Sequence, residues 1–225
     1  MNNYHYIIAS LPLLQKGADN SSFDLDRIKE DILGQLSDKD VSIVNFFCRM
    51  MDGSTLDRDY YRSALKSRST LTRRYSNIDR QMRNMKVRQT AKTLYSEEEA
   101  RDLVSRYVIE ESADPYAQYK EPGVLEADFS DEDKQVLSSV FSDNDIVSKE
   151  KRLDQYKWEK IDSLTTFDYF DIDCILGFLA KGHLVSRWMK LDAAKGKHLF
   201  RKLLDEVRGT FDNNKLKYSI DENNG

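Results

Sequence analysis

Residues 156–207 read YKWEKIDSLTTFDYFDIDCILGFLAKGHLVSRWMKLDAAKGKHLFRKLLDEV, and their apolar positions recur at helical rather than strand spacing. Ile172, Ile175, Leu176 and Leu179 share one face, and Leu184, Trp188 and Leu191 continue an apolar stripe further along. Asp192 is placed to accept a bond from a free backbone N–H and so start another helix, carrying Leu199, Phe200, Leu203, Leu204 and Val207. Successive amphipathic segments, holding both tryptophans of the chain, predict a compact helical C-terminal lobe. The fold class that follows is all-α.

Composition agrees. The chain has 225 residues, enough to bury most of its apolar surface, with 33% charged residues but only nine glycines and three prolines. Few turn residues and many charges favour long helices over a β-sandwich. No uninterrupted apolar run reaches the roughly 20 residues of a membrane span. The opening MNNYHYIIASLPLLQK lacks the basic start of a secretory signal and is expected to be a retained part of the fold. Cys48 and Cys174 lie in apolar stretches with no CxxC spacing, which predicts two reduced, buried thiols and a cytoplasmic setting.

Outward from the C-terminal lobe, helix starts are marked by capping residues. Ser22 or Asp24 precedes Leu25, Ile28, Ile32 and Leu36, and Ser37 with Asp40 precedes Val41–Met51. Ser96 with Glu99 forms a capping box, and Ser130 precedes Val136, Leu137, Val140 and Phe141. Asp143-Asn144-Asp145 breaks the pattern before Lys149–Leu164. Before Pro12, Leu11 is steered to extended backbone, so residues 4–11 form a strand or a short helix that stops there. Between Leu56 and Leu94 neither Gly nor Pro intervenes, which predicts one long helix or two in tandem with a thin apolar stripe, packed on one side as an arm. Two of the three prolines fall in 112–124. The expected organisation is an N-terminal lobe over 1–111 with a long basic arm, a linker over 112–124, and a C-terminal lobe over 125–225, a two-lobed bundle of long antiparallel helices.

Charge is distributed unevenly. The net charge is -4, yet Arg58–Lys92 holds eleven basic residues against Asp59 and Asp79. Arginines interleaved with Tyr60, Tyr61 and Tyr75 suit phosphate contacts and base stacking, whereas a sequence pI near 5.5 does not suit a dedicated nucleic-acid binder. The same face can instead lie in solvent or meet an acidic protein partner, where rim charges set orientation and association rate. Arg73, Arg74 and Arg80 are the candidate contacts on this segment. Arg187 and Trp188, with Lys190, form a second candidate anchor, since Arg and Trp are frequent interface hot spots; Trp188 as core filler is the plainer alternative.

Signals for catalysis are sparse. His5, His183 and His198 show no metal-ligand spacing, and no glycine-rich phosphate loop or nucleophile elbow is present. Asp168, Asp171 and Asp173 cluster where a helix begins, a position at which carboxylates favour the positive end of the helix dipole; metal binding is the alternative. No catalytic, cofactor or metal site is therefore expected.

Two motifs carry a family resemblance. YHYIIASLP at Tyr4–Pro12 and FDIDCILGFLAKGHLVSRWMKLDAAKGKHLFRKLLDEV at 170–207, with Trp158, Phe170, Ile172, Leu176, Lys181, Arg187, Trp188, Leu191, Asp192, Gly196 and Phe200, resemble a family of uncharacterised bacterial proteins. That family is associated with V-type (archaeal-like) ATPases, and its members are similar to the C-type connecting subunit of those enzymes. The resemblance implies an all-α, non-catalytic part that couples the central stalk to the membrane rotor ring in proton or sodium transport. It implies a cytoplasmic location, peripheral at the inner face of the membrane, with stalk and ring subunits as partners. This chain is shorter than the usual three-lobed connecting subunit, hence the expectation of two lobes. A helical nucleic-acid- or protein-binding adaptor using the Arg58–Lys92 face is the alternative.

Overall fold

The computed structural model describes residues 4–14, 23–52, 56–109, 128–167 and 169–189, and every regular element among them is an α-helix. In chain order these are α1 (His5–Ser10), α2 (Leu25–Leu33), α3 (Asp38–Met51), α4 (Arg58–Ala64), α5 (Thr70–Leu94), α6 (Glu97–Tyr107), α7 (Asp131–Phe141), α8 (Ile146–Thr165) and α9 over 172–189. No helix among them is long and apolar enough to cross a membrane.

The capping residues act as their chemistry dictates. Asp24 accepts from the Arg27 N–H, Ser37 from Asp40, Asp57 from Tyr60 and Asp145 from Val147. Ser96 with Glu99 and Ser130 with Asp133 close full capping boxes, each satisfying two backbone donors that the helix leaves without partners. At the N-terminus the short helix is the form adopted. It ends at Ser10 because Leu11 turns to extended backbone (φ -69°, ψ 135°) ahead of Pro12.

The stretch without Gly or Pro becomes two helices, broken over 65–69. Its second helix, α5, is 25 residues long, about 37 Å at 1.5 Å per residue. This helix corrects the expectation of an arm packed on one side. From Leu71 to Arg80 only Arg73 and Arg74 escape full burial, because α4, α6, α7 and α8 all pack on α5. The sequence stripe looked thin because the helix buries Thr72, Ser76, Asn77, Asp79, Arg80 and Asn84 beside its apolar residues. Each inward polar group removes an apolar mark from the pattern without removing a contact.

Around α5 the core takes Val44 and Phe47 from α3, Leu137 and Val140 from α7, Ile161 from α8, and Ile175, Leu176 and Leu179 from α9. The Phe47 and Tyr75 rings lie 6.2 Å apart. Burying side chains of this size contributes roughly 1.5–3 kcal/mol each. Helix α9 approaches α8 at Gly177, where a Cβ would come within 2.9 Å of the Thr165 methyl and 3.6 Å of Ile161. Gly177 is thus the close-approach residue of that crossing.

Backbone contacts divide the chain into two compact units. The first is Met1–Gln15 with Asp24–Leu184, and the second is Lys16–Phe23 with Val185–Gly225. The expected linker over 112–124 lies outside the described residues, and helices from both sides of it, α5 and α8 among them, belong to the first unit. The helix expected after Asp192 also lies outside the described residues.

One long-range contact joins the start of α9 to the start of α5. Asp173, buried in the first turn of α9, accepts through Oδ2 from the N–H of Thr70 (2.9 Å) and of Leu71 (3.1 Å). Ser69 Oγ takes the N–H of Thr72 at 2.9 Å, so the first three donors of α5 all meet side-chain oxygen. Burial pushes the Asp173 carboxyl above its ordinary value, against the Ser69 and backbone donors that favour the charge. Asp173→Ala strands two N–H groups, the buried one of Leu71 and the partly buried one of Thr70, and is expected to lower unfolding free energy by about 1–3 kcal/mol in urea titrations. Asp173→Asn keeps an acceptor and should lose less than half of that. Because the folded state holds the proton more readily than the unfolded chain, the wild-type contribution of this carboxyl falls as pH rises through the range just above about 4. The Asn variant should lack that slope.

Candidate functional site

The basic segment falls on α4 and α5, and the fold divides its cations into two sets. Arg73 donates to the carbonyls of Ser67 (2.6 Å) and Arg68 (3.1 Å) and to the Thr70 hydroxyl (3.0 Å), tying the 65–69 turn to its own helix. Arg74 grips the Asp128 carboxylate with two donors, Nε to Oδ2 at 2.7 Å and Nη2 to Oδ1. Arg80 is buried, donating to Asn77 Oδ1 at 3.0 Å and to the Ile109 carbonyl at 3.3 Å. The Asn84 side chain completes that corner, donating to the Ile109 carbonyl and accepting from the Ile109 N–H, both at 2.8 Å. Arg73, Arg74 and Arg80, the arginines expected to meet a partner, thus all have partners inside the fold.

A buried polar network runs alongside. Asp79 Oδ2 accepts from the Tyr61 hydroxyl and from Arg83 Nε, each at 2.7 Å. Burial first, then the Asp79 charge, drives the Tyr61 phenol far above its ordinary value, so it stays a neutral donor. Burial would lower the Arg83 pKa, but Asp79 more than offsets this and raises it. Removing one partner from such a network costs more than any single bond contributes, because the remaining group is left desolvated and unmatched.

The second set of cations faces solvent: Arg58, Arg62, Lys66 and Arg68 near α4, and Lys86, Arg88 and Lys92 on the distal half of α5. Arg62 is paired with Asp59 at 3.0 Å on the surface, a contact of little energetic weight. The exposed basic surface is therefore smaller than the sequence suggested.

At the second candidate anchor, Arg187 and Trp188 are half-buried at the end of α9, with the guanidinium carbon 5.7 Å from the indole centroid. Lys190 lies outside the described residues, as do Asp168 and His198. Asp171 Oδ1 accepts from the N–H of Asp173 (2.9 Å) and Cys174 (3.2 Å), which makes it the cap of α9 in line with its placement at a helix start. Asp173 is engaged by α5 through the Thr70 and Leu71 donors. His183 Nδ1 lies 3.6 Å from Asp52 Oδ1, and the His5 ring packs 3.8 Å from that of Phe170. Among the described residues no three His, Cys, Asp or Glu side chains are grouped so as to hold a metal ion. Both cysteines are unbridged; Cys48 is buried, its thiol pushed up by burial, whereas Cys174 is only half-buried rather than buried as expected.

Two features of the surface escaped sequence reading. One is the charged seam where Lys160 Nζ meets Asp133 Oδ2 at 2.8 Å and the Asp128 carbonyl at 3.0 Å, joining α7 and α8 next to the Arg74–Asp128 pair from α5. The other is the aromatic segment between α8 and α9, where Phe167, Tyr169 and Phe170 are 85%, 64% and 54% exposed. Its signal was present in the sequence: three aromatic residues that fit neither the α8 nor the α9 stripe.

The chain belongs to the family described as "Protein of unknown function (DUF2764)", which it matches over residues 49–210. That span runs from the end of α3 through the whole of α9. No curated protein matches the chain, and no solved structure does.

The Lys160–Asp133 contact has a definite pH signature. Burial would raise the Asp133 carboxyl, but Lys160 and the Ser130 donors outweigh it and hold the group below its ordinary value. A depressed folded-state pKa stabilises the fold above the unfolded value of about 4, and that stabilisation disappears as pH falls through the lower folded value. Lys160→Met should therefore cost about 1–3 kcal/mol near pH 7, with the difference from wild type shrinking as pH drops toward about 3 in urea unfolding series. An equal difference at both ends would rule out the charge pair as the source.

Proposed function

We propose that this chain is a non-catalytic component of a V-type ATPase or ATP synthase, akin to its C-type connecting subunit and coupling the central stalk to the membrane rotor ring. The finer fold that goes with this reading is a two-lobed helical bundle like that of the connecting subunit. Its partners are stalk and ring subunits met at the inner face of the membrane. The motif residues of the resemblance support it, from YHYIIASLP to the Arg187–Trp188 segment.

The observation that carries the reading is mechanical. A coupling part must pass torque without yielding, and α5 is held at its start by Asp173 of α9, along its length by the Tyr61 hydroxyl of α4 on its Asp79, and beside them by its Arg74 on Asp128. Charged groups spent on internal cross-links suit a rigid body better than a flexible adaptor. A helix with polar bonds to several neighbours resists sliding as well as separation, because each bond is directional. Under this reading Arg187 and Trp188 remain the favoured anchor for a stalk or ring partner, with Lys190 beside them in sequence.

Native mass spectrometry on a tagged copy, purified gently with its membranes from the source cells, tests this. The expected result is recovery with ATPase stalk and ring subunits in fixed stoichiometry. Recovery alone, or with nucleic acid that high salt removes, would overturn the coupling role in favour of an adaptor using the exposed cations of Arg58–Lys92.

A further inference from the structure

Helix α1 is held by its neighbours rather than by itself. Of residues 4–14, Tyr4 and Ile7 are buried, and every other side chain is exposed or half-buried. Its six residues span about 9 Å, well short of the length at which a helix persists alone in water. No side chain caps its start, no acid lies in its first turn and no base in its last. Two of its contacts reach distant parts of the chain. The Tyr4 hydroxyl donates to Asp40 Oδ2 in the first turn of α3, and the His5 ring lies 3.8 Å from that of Phe170, just ahead of α9.

What happens to the polar groups when a contact opens separates α1 from α5. Pulling Asp173 off α5 leaves backbone donors unmatched inside the fold. The backbone bonds of α1 close within the helix itself, Ile8 N–H on the Tyr4 carbonyl at 2.9 Å and Leu11 N–H on that of Ile8 at 3.3 Å, so they leave with it. Asp40 keeps the Ser37 hydroxyl on the same oxygen at 2.5 Å, and the departing Tyr4 hydroxyl meets water. Residues 11–13 lie outside any helix, with Pro12 and Leu13 exposed, and make the pivot. We propose that α1 is a strap: closed, it ties the start of α3 to the segment ahead of α9, and it opens at 11–13 as a unit while the core around α5 stays folded.

Segments with few buried apolar contacts open at low free energy, independently of the global transition. The contrast within this chain is wide: two buried residues in 4–14 against a nearly unbroken run from Leu71 to Arg80. Opening takes the His5 ring off Phe170, so the segment ahead of α9 has two states, one with the Phe170 ring partly covered and one with it bare. The strap belongs to the fold and does not depend on ATPase partners, so it goes beyond the coupling reading and stands or falls separately.

The test is amide hydrogen exchange on the full chain, read by NMR at rising denaturant, together with the ring signals of Phe170. In wild type the amides of residues 8–11 should exchange far faster than those from Tyr75 to Asn84, with almost no dependence on denaturant. Tyr4→Phe keeps the ring and removes the bond to Asp40; it should speed exchange at residues 8–11 about tenfold and leave Tyr75–Asn84 unchanged. Tyr4→Asp sets a second carboxylate against Asp40 and should hold the strap open. Its Phe170 ring signals should then move to where His5→Ala puts them, with the protection of α5 intact. The proposal is overturned if residues 8–11 share the exchange free energy and denaturant slope of α5. It is overturned equally if Tyr4→Phe alters both regions by the same factor or leaves residues 8–11 unchanged, or if Tyr4→Asp unfolds the chain or leaves the Phe170 signals where wild type has them.

Discussion

A carboxylate from one end of the described chain caps a helix that begins a hundred residues earlier. Asp173 holds the Thr70 and Leu71 N–H groups, and through them it fixes where α5 starts relative to α9. Helix N-termini concentrate unmatched donors and partial positive charge, so a buried one needs an acceptor, and an anion is the strongest available. The same carboxylate, taken out of water, needs donors. Each group makes the burial of the other tolerable, and this reciprocity locks the register of the two helices more firmly than apolar contact, which is non-directional, can do alone.

From that junction the other interactions follow in order along α5. Tyr75 and Ile78 enter the core within the first three turns, where Phe47 of α3 meets Tyr75. Arg74 reaches Asp128 just ahead of α7, and Lys160 from α8 closes on Asp133 beside it. Asn84 and Arg80 hold the chain as it leaves α6 at Ile109. The long helix is therefore a spine whose polar residues do most of the specifying, while its apolar residues supply the general attraction. A spine of this kind can transmit force with little internal give, and the coupling reading draws on that property.

Much of the fold was legible in the sequence because its signals are local. Caps at Asp24, Ser37, Ser96 and Ser130 depend on side chains bonding within three residues, and the 172–179 stripe is visible as spacing alone. The burial of α5 was hidden because it rests on pairs far apart in the chain, Arg74 with Asp128 and Tyr61 with Asp79. A run of arginines looks alike whether it faces solvent or internal carboxylates, so Arg73, Arg74 and Arg80 were natural candidates for a partner surface. Asp173 shows the same limit: the sequence located it at a helix start, but the helix it chiefly serves is a different one. Of the candidate sites, the Arg187–Trp188 pair was readable as a motif, whereas the exposed tip at Phe167–Phe170 emerged only once the α8 and α9 faces were known.

Whether α5 is a locked spine is tested most directly by native-state hydrogen exchange. Amides from Tyr75 to Asn84 on α5 and from Ile175 to Ala180 on α9 are expected to exchange only through global unfolding, with one shared free energy and one shared denaturant slope. Exchange of the α5 amides through a low-energy opening, while those of α9 stay protected, would contradict it.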